Sequence, residues 1–204
     1  LAQMFLYRND SKAAAPLFER ILTGQRLVYG STNSAVADTL SNLAQVRIAE
    51  QDYRSAEKLM REAVAIHKNA GSSEAHRIGY LQTLLATVLL KQGGTAEAEQ
   101  MLRDTLELYG RSLPADHQYV SSTEYYLGEA LLGSRKFADA EAVLSASMNR
   151  WKRSDAPAWR AARSKNSLAE ALVRQGRTKE GERYLVETFR ELSADEGADK
   201  ESKD

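Results

Sequence analysis

The chain contains no cysteine among its 204 residues. That excludes disulfides, thiol nucleophiles and cysteine-ligated metals, and it leaves the redox compartment open. Net charge is missing too: 28 Lys and Arg balance 28 Asp and Glu, so no global basic field draws the chain to nucleic acid or to a membrane surface. Long apolar runs are absent, since a stretch such as Leu84 to Leu90 is short and interrupted by Thr87, and no membrane insertion is expected. The first residues, Leu1-Ala2-Gln3-Met4-Phe5-Leu6, lack both an initiator Met and the basic flank of a signal peptide; they read as the start of a fragment cut from a longer protein. The compartment itself is not legible, and a soluble chain, cytoplasmic by default, is the expectation.

Chemistry-bearing motifs are equally scarce. His67, His76 and His117 stand one per region, and Glu74, two residues before His76, suits no shared helix face, so neither a metal site nor a cofactor is expected. His117 follows Asp116 at a helix start, where capping or loop packing is its expected work. Gly93-Gly94 follows a helix and lacks the strand and the Lys-Ser/Thr pair of a phosphate loop. No nucleophile carries a motif, and a non-enzymatic protein is expected.

What is present is a repeat. Ala56-Glu57, Ala98-Glu99, Ala140-Glu141 and Gly181-Glu182 recur at intervals of 42, 42 and 41 residues, and Leu43-Ala44, Leu85-Ala86, Leu127-Gly128 and Leu168-Ala169 keep the same intervals 12 residues earlier. The constant offset makes each copy one unit and places the single deletion in the linker of Asp155, Ala156 and Pro157. Within the first full copy, Val36, Leu40, Leu43, Ala44 and Ile48 step by three and four, as do Tyr53, Ala56, Leu59, Met60, Ala63, Val64 and Ile66, which predicts a helix A over 34–50 and a helix B over 52–70. Gly93 and Gly176 sit where the A helix ends and positive φ is wanted; Gln51 and Arg135 take the same places without that freedom. The small residues of the two series let paired helices approach, while Tyr53, Leu59, Leu102, Phe137, Leu144 and Leu185 fill the space between successive pairs.

The linkers Gly71-Ser72-Ser73, Leu113-Pro114-Ala115-Asp116 and Asp155-Ala156-Pro157 separate the pairs. The first 30 residues fit an incomplete copy, with Leu1 to Arg8 ending an A helix and Asn9 to Tyr29 forming a B helix; Pro16 there belongs in the first turn or else kinks the helix. The expected architecture is all-α, a right-handed α-solenoid of antiparallel helix pairs over residues 1–192, with a partial repeat at 1–30 and full repeats at 34–71, 74–112, 116–152 and 156–192. No strand is expected. Residues 193–204, nearly free of apolar side chains, read as a disordered tail.

The Leu-Ala of helix A, the turn, and the Ala-Glu-x-x-Leu of helix B at a period near 42 resemble tetratricopeptide repeats of the long kinesin-light-chain type. Leu113-Pro114-Ala115-Asp116-His117-Gln118-Tyr119-Val120 is similar to the Asp-His-Pro-x-Val linker of that family, and Asn166-Ser167-Leu168-Ala169 to its Asn-x-Leu-Ala signature. The likeness covers about residues 1 to 192. More locally, Trp159-Arg160-Ala161-Ala162-Arg163-Ser164 followed by Leu168-Ala169-Glu170-Ala171-Leu172 resembles the final repeats in arrays at the C-terminus of bacterial Ser/Thr protein kinases, although no kinase motif occurs here.

The resemblance implies that the A helices line a concave groove that binds a protein or peptide partner. The implied groove residues are Asp38, Ser41 and Gln45 in the first copy, Tyr80, Thr83, Thr87 and Lys91 in the second, Ser122, Tyr125 and Glu129 in the third, and Arg163, Asn166, Glu170 and Arg174 in the fourth. In the family an Asn at the Asn166 position contacts the peptide backbone; Ser41, Thr83 and Tyr125 stand in its place in the other copies, so no asparagine ladder forms. The mixed surface that remains offers tyrosines for apolar contact and arginines for acidic side chains or a C-terminal carboxylate, or it is simply a solvated face. Two further readings stand beside a peptide-binding module. One is an assembly segment of a larger signalling protein, such as a kinase, forming a homodimer through the C-terminal helix, where Tyr184, Leu185 and Phe189 lack a following repeat to cover them. The other is a regulatory domain that senses a small ligand between helices.

Overall fold

A computed structural model describes residues 1–8, 10–69 and 75–201. Among the described residues there are ten helices and no strand: α1 (Ala2–Tyr7), α2 (Ser11–Tyr29), α3 (Ser34–Ala49), α4 (Tyr53–Asn69), α5 (Ala75–Lys91), α6 (Thr95–Ser112), α7 (Gln118–Gly133), α8 (Phe137–Lys152), α9 (Ala158–Arg174) and α10 (Thr178–Glu201). The helix pairs form two compact units, one from Leu1 to Met101 and one from Leu102 onward, with the boundary inside α6. In the first, α2 packs on α1 and α3, and α4 on α3 and α5; in the second, α8 packs on α7 and α9, α9 on α10, and α7 also reaches α9.

Local chemistry starts and stops these helices. Asp10 Oδ1 accepts from the Ala13 amide at 3.1 Å, Asn33 Oδ1 from Ala35 at 2.9 Å, and Asp52 Oδ1 from Ser55 at 3.1 Å, each satisfying an amide that the helix leaves unpaired. His117 does the same with Nδ1, accepting from the Tyr119 amide at 3.1 Å. Gly93 and Gly176 turn between paired helices with φ of 84° and 83°; Gln51 and Arg135 occupy the equivalent turns at 62° and 60°, so the shared geometry is imposed on side chains that resist it.

The recurring small residues do bring helices close. A Cβ on Gly181 stands 2.8 Å from the Ala169 carbonyl, and one on Gly128 stands 2.4 Å from Leu144. Met60, Leu102 and Leu144 hold one register position in three copies and are fully buried; Met60, not Leu59, is therefore the first copy's core residue at this step. Pro16 lies inside α2, past its first turn, so α2 lacks the Pro16 amide that pairs with Lys12 in a regular ladder. At the other end α10 runs through Glu201, where the sequence reading begins a tail at residue 193. Ala194, Glu196, Ala198 and Lys200 are good helix formers, and a helix needs no apolar face to continue from one already packed. Residues 202–204 and the linker residues 71–73 lie outside the described residues.

Candidate functional site

The fourteen candidate residues separate by unit. In the first, Ser41 and Thr83 are buried. The Thr83 hydroxyl donates to the Gly79 carbonyl at 2.9 Å and the Thr87 hydroxyl to Leu84 at 2.7 Å; threonine on a helix readily turns back onto its own preceding turn. Asp38 is exposed but engaged, accepting from Arg77 at 3.1 Å on both oxygens and lying 3.7 Å from the buried His67 Nε2. Gln45 is half-buried, and Tyr80 and Lys91 are exposed. A concavity of about 410 Å³ between α1 and α2 is lined by Leu1, Ala2, Leu17, Arg20 and Ile21, without convergent polar groups.

The second unit gathers its candidates. Ser122 and Tyr125 of α7 and Arg163 of α9 line one recess of about 70 Å³ together with Tyr126, Trp151, Trp159 and Arg160. The Arg163 guanidinium lies 4.2 Å from the Tyr125 ring centroid, 5.6 Å from Tyr126 and 5.8 Å from Trp159. Arg160, one turn earlier on the same face, sits 4.9 Å from both Trp151 and Trp159. Tyr125 and Tyr126 meet edge to face at 5.0 Å. Aromatic rings thus flank both guanidiniums, and the Tyr126 and Tyr125 hydroxyls accept from Arg163. Among the described residues neither guanidinium is in an ion pair. Of the remaining candidates, Glu129 is half-buried and Asn166 is exposed, while Glu170 pairs with Arg174 at 3.3 Å.

Electrostatics suits this arrangement. Burial pushes the Tyr125 hydroxyl up, and nearby Glu129 adds to it, so the phenol stays neutral. Burial pulls the Arg163 guanidinium down, but Tyr126 and Tyr125 outweigh it and keep the cation. The framework is braced from within: Ser147 of α8 donates to the Ser121 carbonyl of α7 at 2.8 Å and shares a 2.9 Å hydrogen bond with Ser164 of α9. Arg150, which precedes Trp151, holds Glu124 of α7 at 3.0 Å and the Ala115 carbonyl. Burial pushes the Glu124 carboxyl up against the pull of Arg150.

Sequence reasoning misses Tyr126, Trp151, Trp159 and Arg160, yet a signal for one of them exists. His67, Tyr109 and Trp151 are spaced by 42 residues and are all buried at the end of a B helix. The residues at the start of the next A helix, Arg77, Tyr119 and Arg160, follow the same register. Tyr109 stacks with Tyr119 at 6.1 Å, and Trp151 meets Arg160. Among the described residues, no group of three or more His, Asp or Glu side chains is placed to hold a metal ion, and no helix is long and apolar enough to cross a membrane.

Comparison with known proteins places the fold. The TPR-like repeats of a Podosopora anserina kinesin light chain superpose with a TM-score of 0.80 at 19% identity, covering 97% of this chain and 93% of that one. MamA from Desulfovibrio magneticus superposes with a TM-score of 0.68 at 13% identity over 95% and 92%; at such identities the likeness is one of fold. A clustered mitochondria protein homolog from Candida albicans is 23% identical over 128 residues, which cover 59% of this chain and only 9% of that protein's length. The model of the tetratricopeptide repeat family matches residues 1–69 and again 35–111, two overlapping windows of the kind that stacked copies of one unit produce. By that match, over more than half its length, the chain belongs to the tetratricopeptide repeat family.

Proposed function

We propose that this chain is a non-enzymatic protein-interaction module whose second unit holds an extended segment of a partner against α7 and α9, with an acidic side chain or C-terminal carboxylate in the recess. The observation that carries this reading is the pair of guanidiniums, Arg160 and Arg163, stacked on aromatic rings with no ion pair among the described residues. A charge-assisted hydrogen bond to such a preordered edge is stronger than one to a mobile surface arginine. Size narrows the ligand: a recess of about 70 Å³ is well below the roughly 150 Å³ of an enclosed cavity that holds benzene, and it suits a small head such as a carboxylate. It is also far smaller than a pocket for a drug-sized molecule, which runs to at least about 300 Å³. Asn166, Glu170 and Arg174 extend the same helix face with polar contacts. A fluorescein-labelled glutamate-rich peptide, followed by anisotropy, tests the reading: Tyr125→Ala with Arg163→Ala should abolish its binding at unchanged thermal stability. Binding retained by that variant rejects the site.

A second reading, self-association within a larger signalling protein, is favoured by the uncovered Leu185 and Phe189 of α10.

A further inference from the structure

We propose that the outer face of α10 is a dimer surface, on which a second copy of this chain docks antiparallel about a two-fold axis beside Val186. The inner face of α10 is already committed: Lys165 of α9, fully buried, reaches Glu187 and Glu191 at 3.0 Å each, and Thr188 is buried. That anchoring turns Glu182, Leu185, Val186, Phe189 and Arg190 outward. Leu185, Val186 and Phe189 are 47%, 49% and 72% exposed and form one apolar stripe at helical spacing. The counterparts of Leu185 in the other copies, Met60, Leu102 and Leu144, are fully buried, so the repeat supplies a core side chain here that nothing in the unit covers.

Charge identifies the occupant. Glu182 and Arg190 stand at either end of the stripe, eight residues or about 12 Å apart along the axis, and neither is in an ion pair among the described residues. A parallel second copy sets like charge against like. An antiparallel copy related by a two-fold axis at Val186 sets Glu182 against Arg190 of the second copy and Arg190 against its Glu182. Two ion pairs then flank an apolar centre, as a self-complementary isologous patch requires. This surface is independent of the α7–α9 recess.

Sedimentation velocity of the 204-residue chain across a concentration series tests the proposal, and a monomer–dimer equilibrium is expected. Glu182→Arg places arginine against Arg190 in both pairs and should weaken the dimer by about tenfold or more. Adding Arg190→Glu to that variant restores opposite charges and should restore association. Both positions are exposed, and unchanged helicity by circular dichroism confirms the fold of each variant. A chain that stays monomeric at the highest concentration overturns the proposal, as does a dimer indifferent to Glu182→Arg or one that the double reversal leaves weak.

Discussion

Replacing Gly181 by alanine tests whether the two recurring small-residue series exist to let paired helices touch. In an open helix interior, Gly→Ala stabilises by about 1 kcal/mol through backbone entropy and propensity. At Gly181 the new Cβ stands 2.7 Å from Val173 Cγ2 and 2.8 Å from the Ala169 carbonyl oxygen, where favourable contact requires about 3.5–4.0 Å. Val173, 40% exposed, can turn away. The Ala169 carbonyl is fixed in the α9 ladder, so the helices must separate, and such overpacking costs about 1–3 kcal/mol. Gly181→Ala should therefore be destabilising by roughly 1 kcal/mol net. Gly24, also helical and with nothing within 4 Å of its Cβ, supplies the control: Gly24→Ala should stabilise by about 1 kcal/mol. Urea denaturation followed by far-ultraviolet circular dichroism measures both. Equal stabilisation by the two substitutions refutes the close approach.

Three further outcomes follow from particular residues. Gln51→Gly and Arg135→Gly each relieve a left-handed backbone worth about 1–2 kcal/mol against an added entropy cost of about 0.5–1 kcal/mol, so thermal melts should show a small net stabilisation that Gln92→Gly, a neighbouring turn position outside the set, does not share. Pro16→Ala restores the missing α2 hydrogen bond at an exposed site and should raise stability by about 1–3 kcal/mol in urea titrations. Lys165 holds the Glu187 carboxyl below the usual carboxylate range. Its contribution is present above the unfolded value and is lost as pH falls through the folded one. The stability difference between the native chain and Glu187→Gln should therefore shrink on acidification, and a difference constant with pH contradicts the pairing.

The sequence exposes what repeats and conceals what does not. Ala56, Ala98, Ala140 and Gly181 announce the helix pairs because close packing demands the same small volume in every copy, and the helices follow within a residue or two. His117 is legible as a cap because a polar side chain before a helix has few other uses. The recess is only half legible: Tyr125, Ser122 and Arg163 emerge by counting from the Leu-Ala pairs on the A helices. Trp151 comes from a B helix, outside that count, and Arg160 and Trp159 lie in the first turn of α9, ahead of the counted positions. Ser41 and Thr83 look like surface residues by register but are buried; the Thr83 hydroxyl is satisfied within its own helix by the Gly79 carbonyl. The extent of α10 escapes a reading based on apolar content, which reports packing and not helix propensity.

Trp151 and Trp159 are the chain's two tryptophans, and both line the recess, so intrinsic fluorescence reports its occupancy without a label. Titrating a glutamate-rich peptide should give a saturable change that weakens with salt, disappears in Arg160→Gln with Arg163→Gln, and is absent with a glutamine peptide of equal length. A signal that stays flat with the glutamate-rich peptide, or one that the glutamine peptide reproduces, contradicts the assignment of the recess to a partner's carboxylate.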